Sequence, residues 1–167
     1  MSIHFRTLAT SASLVAFLGC SLACGGATAP AIKPAFAARC ADAAGAHHAW
    51  VVVKHASGSV LQRCVGFDQQ SEPALDLMRR GGIALSTQNF AFGTAVCSID
   101  KEPAHYSKCL PAGAPYWALF VATAGGPWKL AATGVSAVKV NEGDALGWNY
   151  VPASVTNPPP PPLPPKS

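Results

Sequence analysis

The segment from residue 116 to residue 150 constrains the fold most, because it holds three of the four tryptophans and two of the three tyrosines. Its beginning, YWALFVA, is largely apolar on both faces of an extended chain, which predicts a central strand at Tyr116–Ala122. Its end, ALGWNYV, predicts a last strand at Ala145–Val151, with Trp148 and Tyr150 on one face. We therefore expect the core to be built on a sheet.

Turn-forming residues divide the chain between these two strands. Gly125-Gly126-Pro127 breaks the first strand, and residues 141–144, Asn-Glu-Gly-Asp, predict a second turn. The two apolar stretches between the turns predict short extended pieces at Trp128–Ala131 and Val135–Val140.

The first half of the chain predicts a hairpin followed by one helix. Residues 49–55 are rich in β-branched side chains, and residues 60–65 follow a Ser-Gly turn, so both are predicted strands. In SEPALDLMRRGG, Ser71 is expected to cap a short helix that ends at Gly81 or Gly82. The spacing i, i+3, i+4 predicts that this helix buries Ala74, Leu77 and Met78.

Two more strands are predicted after the helix, at Ile83–Ser86 and Ala91–Ile99, with a turn at residues 100–103. A hairpin, a single helix and further strands indicate an α+β fold, mostly β with one short helix, and most simply a small β-grasp-like domain.

The beginning of the chain is typical of an export signal. Residues 1–37 combine a basic start, an apolar centre and a small-residue exit, with no acidic residue. Phe17-Leu18-Gly19-Cys20 and Ser21-Leu22-Ala23-Cys24 each resemble a lipobox with one departure, so Cys20 or Cys24 is a candidate for lipidation. The alternative is that both are discarded with the signal. We expect a secreted or cell-envelope protein, periplasmic or extracellular, with or without a lipid anchor.

Four cysteines remain after residues 1–37 are removed, in a single domain of modest size at residues 38–152. An even number in an exported chain predicts two disulfides, with three possible pairings. We favour Cys40–Cys64 and Cys97–Cys109, because the second pair closes a loop long enough to turn back on itself. The cysteine and histidine spacing does not match a zinc site.

The end of the chain predicts a stiff tail at residues 153–167. Seven of the last twelve residues are proline, which favours an extended, disordered polyproline II segment without a packed core. Such a tail serves as a spacer or as a ligand for an aromatic groove.

The order of several motifs resembles the transcobalamin-like C-terminal domain family, a secreted bacterial domain of unknown function related to the β-domain of the cobalamin carriers. The resemblance covers about residues 40–151 and rests on order rather than on any single motif. Lys101 stands where glycine is usual. The matching motifs are Val51-Val52-Val53 before Arg63-Cys64, the helix ending in glycine, Val96-Cys97-Ser98-Ile99-Asp100, Tyr116-Trp117, Gly125-Gly126-x-Trp128, and Gly143-x3-Gly147-Trp148.

This resemblance implies binding without catalysis. In the cobalamin carriers the similar module closes over one face of the corrinoid, so cobalamin or another corrinoid is the expected ligand, and no cofactor is required. The carriers' helical domain, which supplies the other half of that site, is absent from this sequence. The second hypothesis is a structural or protein-interaction module at the cell surface, with an envelope protein as partner and no small ligand.

The candidate ligand-binding residues are aromatic. A shallow aromatic platform suits a planar ring system or a sugar, whereas the alternative is that these side chains fill the core. For Trp117 and Trp148, in mid-strand, the core role is favoured. The candidates are Tyr116, Trp117, Trp128, Trp148 and Tyr150.

Other functions are disfavoured by composition and motifs. Removal of Arg6 and Lys33 with the signal lowers the formal charge from +4 to +2, and no basic stripe remains for nucleic acid. His47 and His48 are adjacent on an extended segment and point in opposite directions, so a metal site is not expected. No nucleophile motif is present, so we do not expect an enzyme, and the domain is expected to be a monomer.

Overall fold

The computed structural model describes residues 40–165. The predicted signal at residues 1–37, with Cys20 and Cys24, lies outside the described residues. No helix in the described part of the chain has the length and apolar character needed to cross a membrane. The two predicted disulfides are both formed, Cys40 with Cys64 and Cys97 with Cys109.

The described elements are mostly strands, with one α-helix and one short 3₁₀ turn. In chain order they are β1 (His47–Lys54), β2 (Val60–Phe67), β3 (Glu72–Pro73), α1 (Ala74–Arg80), β4 (Leu85–Phe90), β5 (Gly93–Ile99), β6 (Tyr116–Ala122), β7 (Lys129–Leu130), the 3₁₀ turn (Val135–Ala137), β8 (Lys139–Val140) and β9 (Ala145–Val151).

A five-stranded sheet in the order β2-β1-β9-β6-β7 forms the centre of the fold. β1 pairs with β9 in parallel, and the other neighbours are antiparallel. The last strand therefore lies between the first strand and β6. Six of the seven residues of β9 are buried, and Tyr150 is half-buried. The central position of the strand explains this, because a strand covered on both faces has no solvent-exposed side.

One face of this sheet, the inner face, packs against α1 and the 3₁₀ turn. Alternation along β6 and β9 directs Trp117 and Leu119, together with Leu146 and Trp148, to this side. On the helix, the predicted apolar face is buried, with Ala74, Leu77 and Met78 all inaccessible to solvent. This layer is the main hydrophobic core.

The helix begins differently from the expectation. Ser71 does not cap it: the N-cap position is Pro73, and no side chain there accepts a hydrogen bond. Glu72 instead lies in β3, almost fully buried, and its Oε1 accepts a 2.8 Å hydrogen bond from Nε of Arg80 at the other end of the helix. The same carboxylate raises the pKa of Arg80. The helix ends at a pair of glycines, and Gly82 takes a φ of +69°.

Several boundaries differ from the sequence predictions. The strand expected at residues 83–86 lies at Leu85–Phe90, where it forms a separate hairpin with β5. Val135–Val140 was expected to be extended, but it begins with the 3₁₀ turn. Buried Val135 packs into the main core, and Ser136 Oγ accepts a 3.1 Å hydrogen bond from the amide of Thr94 in β5. These contacts to a distant strand explain the turn.

The opposite face of the sheet, the outer face, carries Ala118, Phe120, Gly147, Asn149 and Val151. It has its own apolar cluster, to which Trp128 and Val155 contribute. Residues 152–165, which we call the tail, lie against this face, with Pro158 and Pro161 buried. The sequence predicts a tail without packing, and the structure differs because the outer face offers both apolar contacts and hydrogen-bond donors.

Candidate functional site

An apolar cleft lies between the edge of β6 and the edge of β5, and we call it the β5–β6 cleft. Its volume is about 320 Å³, which is at the lower end of the range for small-molecule sites. β7 pairs with β6 only through Phe120 and Val121, so the first half of β6 borders the cleft. Its main lining residues are Phe92, Val96, Leu110, Trp117, Leu119, Leu130, Trp148 and Pro158.

Trp117 is held in place by its surroundings. Its indole Nε1 donates a 2.9 Å hydrogen bond to the backbone oxygen of Glu102. The ring meets His55 edge-on at 5.6 Å and lies 4.9 Å from the ring of Tyr150. The Glu102 carboxylate in turn contacts His55 Nδ1 at 2.8 Å. This network fixes the orientation of the aromatic wall before any ligand arrives.

Trp148 provides a buried donor beside the cleft. The residue is 3% exposed, and its indole Nε1 has no hydrogen-bond partner among the described residues. A buried, unsatisfied N–H is costly unless something pairs with it. The nitrogen atom is also closed off from solvent, so Trp148 contributes its ring surface to the cleft rather than its donor.

The rim of the cleft exposes apolar side chains. Phe92 is 69% exposed and stacks on Phe90, with ring centroids 5.0 Å apart. Leu130 is 52% exposed on the opposite side. Large apolar groups at the mouth of a cavity are typical of a binding surface.

A second pocket of about 300 Å³ continues the cleft at its other end. The two cavities share Val96, Leu110, Tyr116 and Trp117. The loop between Cys97 and Cys109 supplies much of the second pocket, including His105 and Lys108. The disulfide thus holds the wall that brings the positively charged Lys108 close to the apolar cleft.

Tyr150 lines the second pocket, and its environment favours the neutral phenol. Burial raises the pKa of Tyr150, and the Glu102 carboxylate adds to the increase. A raised pKa in the folded state means that the neutral Tyr150 phenol contributes to the free energy of unfolding. That contribution is complete below the unfolded pKa of about 10 and is lost as the pH rises through the folded pKa.

Tyr150→Phe should therefore weaken the alkaline dependence of stability, because phenylalanine cannot ionise. We expect the free energy of unfolding to fall more steeply for the wild type than for the variant above about pH 10. Urea unfolding followed by circular dichroism at a series of alkaline pH values measures this. Parallel curves for the two proteins would contradict the assignment.

The structure distributes the five candidate ligand residues over three places. Tyr116, Trp117 and Trp148 line the β5–β6 cleft, and Tyr150 lines the second pocket beside Tyr116 and Trp117. Trp128 lies on the outer face, in the apolar cluster covered by the tail.

Sequence reasoning missed the rim residues Phe92, Leu110 and Leu130. Phe92 stands in Ala-Phe-Gly at the tip of a hairpin, and an aromatic residue beside a turn glycine is the signal that could have indicated exposure. Leu110 and Leu130 carry no comparable signal, since their exposure depends on which strands surround them.

The histidine pair does not form a metal cluster. His47 Nδ1 lies 3.7 Å from the Glu142 carboxylate, which also accepts a hydrogen bond from the backbone amide of His48. Within residues 40–165, no group of three or more histidine, cysteine, aspartate or glutamate side chains is placed to hold a metal ion.

Comparison with known proteins places the chain in no established family. No family model matches it, and no curated protein matches it. Among solved structures, it is similar to a protein from Ruminococcus gnavus described as a "putative metal binding protein", with a TM-score of 0.47 and 15% identity. The match covers 64% of this chain and 97% of that one. A likeness at this level does not indicate a shared function.

Proposed function

We propose that this protein is an exported, non-catalytic module that binds a small apolar ligand in the β5–β6 cleft. The cleft itself carries the proposal, since a preformed aromatic wall and an exposed apolar rim converge on it. Cavities of this composition are typical of sites that bind by burial of apolar surface and orient the ligand with a few polar groups.

The proposed ligand has an apolar body, which would contact Trp117, Leu119 and Leu130. An anionic group would be favoured near Lys108 in the second pocket. A corrinoid remains the ligand that the transcobalamin-like resemblance suggests. At about 320 Å³, the cleft would take an edge or side group of the corrinoid, with the ring across the rim.

The same proposal includes a β-grasp-like fold and export. The hairpin β1–β2, followed by a helix and by a parallel pairing of the first and last strands, supports the fold assignment. Two disulfides support an oxidising compartment, because such bonds persist mainly in exported proteins.

The test is a titration of the purified protein with three probes, namely anilinonaphthalene sulfonate, cyanocobalamin and haem, followed by tryptophan or dye fluorescence. We expect saturable binding of at least one probe. Phe92→Ala should weaken it by about tenfold, because the variant removes apolar contact area at the rim. Leu163→Ala is the matched control, since Leu163 is 53% exposed on the tail, outside the cleft lining, and should leave the affinity unchanged.

The proposal is abandoned if no probe saturates, or if Phe92→Ala and Leu163→Ala have the same effect.

Protein binding at the same cleft is the second candidate function. Within residues 40–165, no strand pairs with the Tyr116–Ala118 half of β6 on the side that faces β5. An extended segment of an envelope protein could add to such an edge through its backbone. Failure of all three small probes on a correctly folded protein would favour this candidate.

A further inference from the structure

The tail crosses the outer face of the sheet over four strands, in the order β6, β9, β1 and β2. Three of these strands, β6, β9 and β2, each provide a side chain that donates a hydrogen bond to the tail. In tail order, Tyr116 Oη donates to the Val155 oxygen at 3.1 Å, Asn149 Nδ2 to the Pro159 oxygen at 2.8 Å, and Gln62 Nε2 to the Leu163 oxygen at 3.5 Å.

Burial along the tail repeats every third residue. Pro158 and Pro161 are buried and Pro164 is half-buried, whereas the residues between them are exposed. A polyproline II helix has three residues per turn, so one of its edges contains every third side chain. The tail therefore presents a single polyproline II edge to the sheet.

The sheet has a seat for one proline ring at Gly147. A Cβ atom at this position would lie 2.9 Å from Cγ of Pro161 and 2.9 Å from the indole of Trp128. The proline ring and the indole therefore lie side by side over the bare backbone of β9. Only a residue without a side chain leaves room for both, and an aromatic wall beside a proline ring is the usual mode of proline-rich recognition.

The buried side-chain amide of Asn149 forms a hydrogen bond with the backbone of the tail. Asn149 is 3% exposed in the middle of the sheet, a position where a polar side chain is costly without a partner. A polyproline II segment makes no internal hydrogen bonds, so its carbonyl groups are free to accept. The hydrogen bond to the Pro159 oxygen gives the Nδ2 donor of this amide its partner.

We propose that the outer face is a binding site for proline-rich segments, which the protein's own tail fills. The site consists of the Trp128–Gly147 seat and the donors Asn149 and Gln62. Its ligand class is a polyproline II segment with prolines spaced three residues apart. It is a different site from the β5–β6 cleft of the proposed small-ligand function, although Tyr116 and Pro158 also line that cleft.

The experiment measures binding of a labelled synthetic peptide spanning residues 154–165 to full-length protein variants by fluorescence anisotropy. Pro158→Ala with Pro161→Ala loosens the tethered tail and leaves the sheet unchanged. We expect this variant to bind the peptide at least about tenfold more tightly than the wild type, in which the tail competes at an effective concentration on the order of millimolar. Pro160→Ala with Pro162→Ala, at exposed positions of the same type, should behave as the wild type.

Two further measurements test recognition itself. Adding Asn149→Leu to the loosened variant should lower peptide affinity by about tenfold. A peptide with alanine at positions 158 and 161 should bind more weakly than one with alanine at 160 and 162. Circular dichroism confirms that each variant is folded. The proposal is overturned if the folded, loosened variant binds no peptide, or if the two altered peptides bind equally.

Discussion

Phe67→Ala should destabilise the protein by about 3–5 kcal/mol, the cost of removing a large aromatic side chain from a closed core. Phe67 is 1% exposed and ranks among the largest fully buried side chains. It closes the inner-face core at the end of β2, where the ring of His47 lies 5.7 Å away. Urea unfolding monitored by circular dichroism gives the change in free energy.

Phe92→Ala is the matched control, because the same atoms are removed from a side chain that is 69% exposed. We expect a change within about 0.5 kcal/mol. If Phe67→Ala is too unstable to purify, Phe67→Leu gives a smaller loss that can be measured. Equal effects of the two alanine variants would mean that Phe67 does not support the core as described.

Gly66→Ala should destabilise the protein by about 3 kcal/mol, through overpacking of backbone against backbone. A Cβ atom at this position would lie 1.9 Å from the backbone oxygen of Asp42. The chain cannot move away freely, since the amide of Gly66 donates a 2.7 Å hydrogen bond to Ala41 and the neighbouring Cys40–Cys64 disulfide holds the same segment.

Gly134→Ala is the comparison for that substitution. Its φ of −64° and ψ of 160° are accessible to alanine, and the nearest atom to an added Cβ is 3.7 Å away. We expect a small stabilisation of less than about 1 kcal/mol, because alanine restricts the unfolded chain. Thermal unfolding of both variants tests the pair. Similar midpoints would contradict the close contact at Gly66.

Local alternation was enough to predict which aromatic residues share a face. The pattern in ALGWNYV correctly placed Trp148 and Tyr150 on one face, because a strand has a period of two whatever surrounds it. Both disulfides match the pairing favoured among the three possible ones, which rested on the length of the loop between Cys97 and Cys109 rather than on strand periodicity.

Features that depend on distant contacts could not be predicted in the same way. The position of Trp128 on the outer face depends on Gly147 and Pro161, which are 19 and 33 residues further along the chain. The exposure of the apolar rim residues likewise depends on the gap between β5 and β6, which are distant in sequence from some of these residues. Composition made the tail appear unstructured, because it has few side chains that could form a core of their own. The packing surface is supplied by the sheet.

The central position of β9 has a consequence for how the molecule is made. Until β9 has paired, β1–β2 and β6–β7 are two separate fragments, each with an open edge where β9 will lie. Pairing of β1 with β9 joins residues almost one hundred positions apart, and such long-range topology folds slowly. Newly synthesised chains therefore expose aromatic strand edges for an extended time, and dilution or chaperone binding during that interval should decide the yield of native protein.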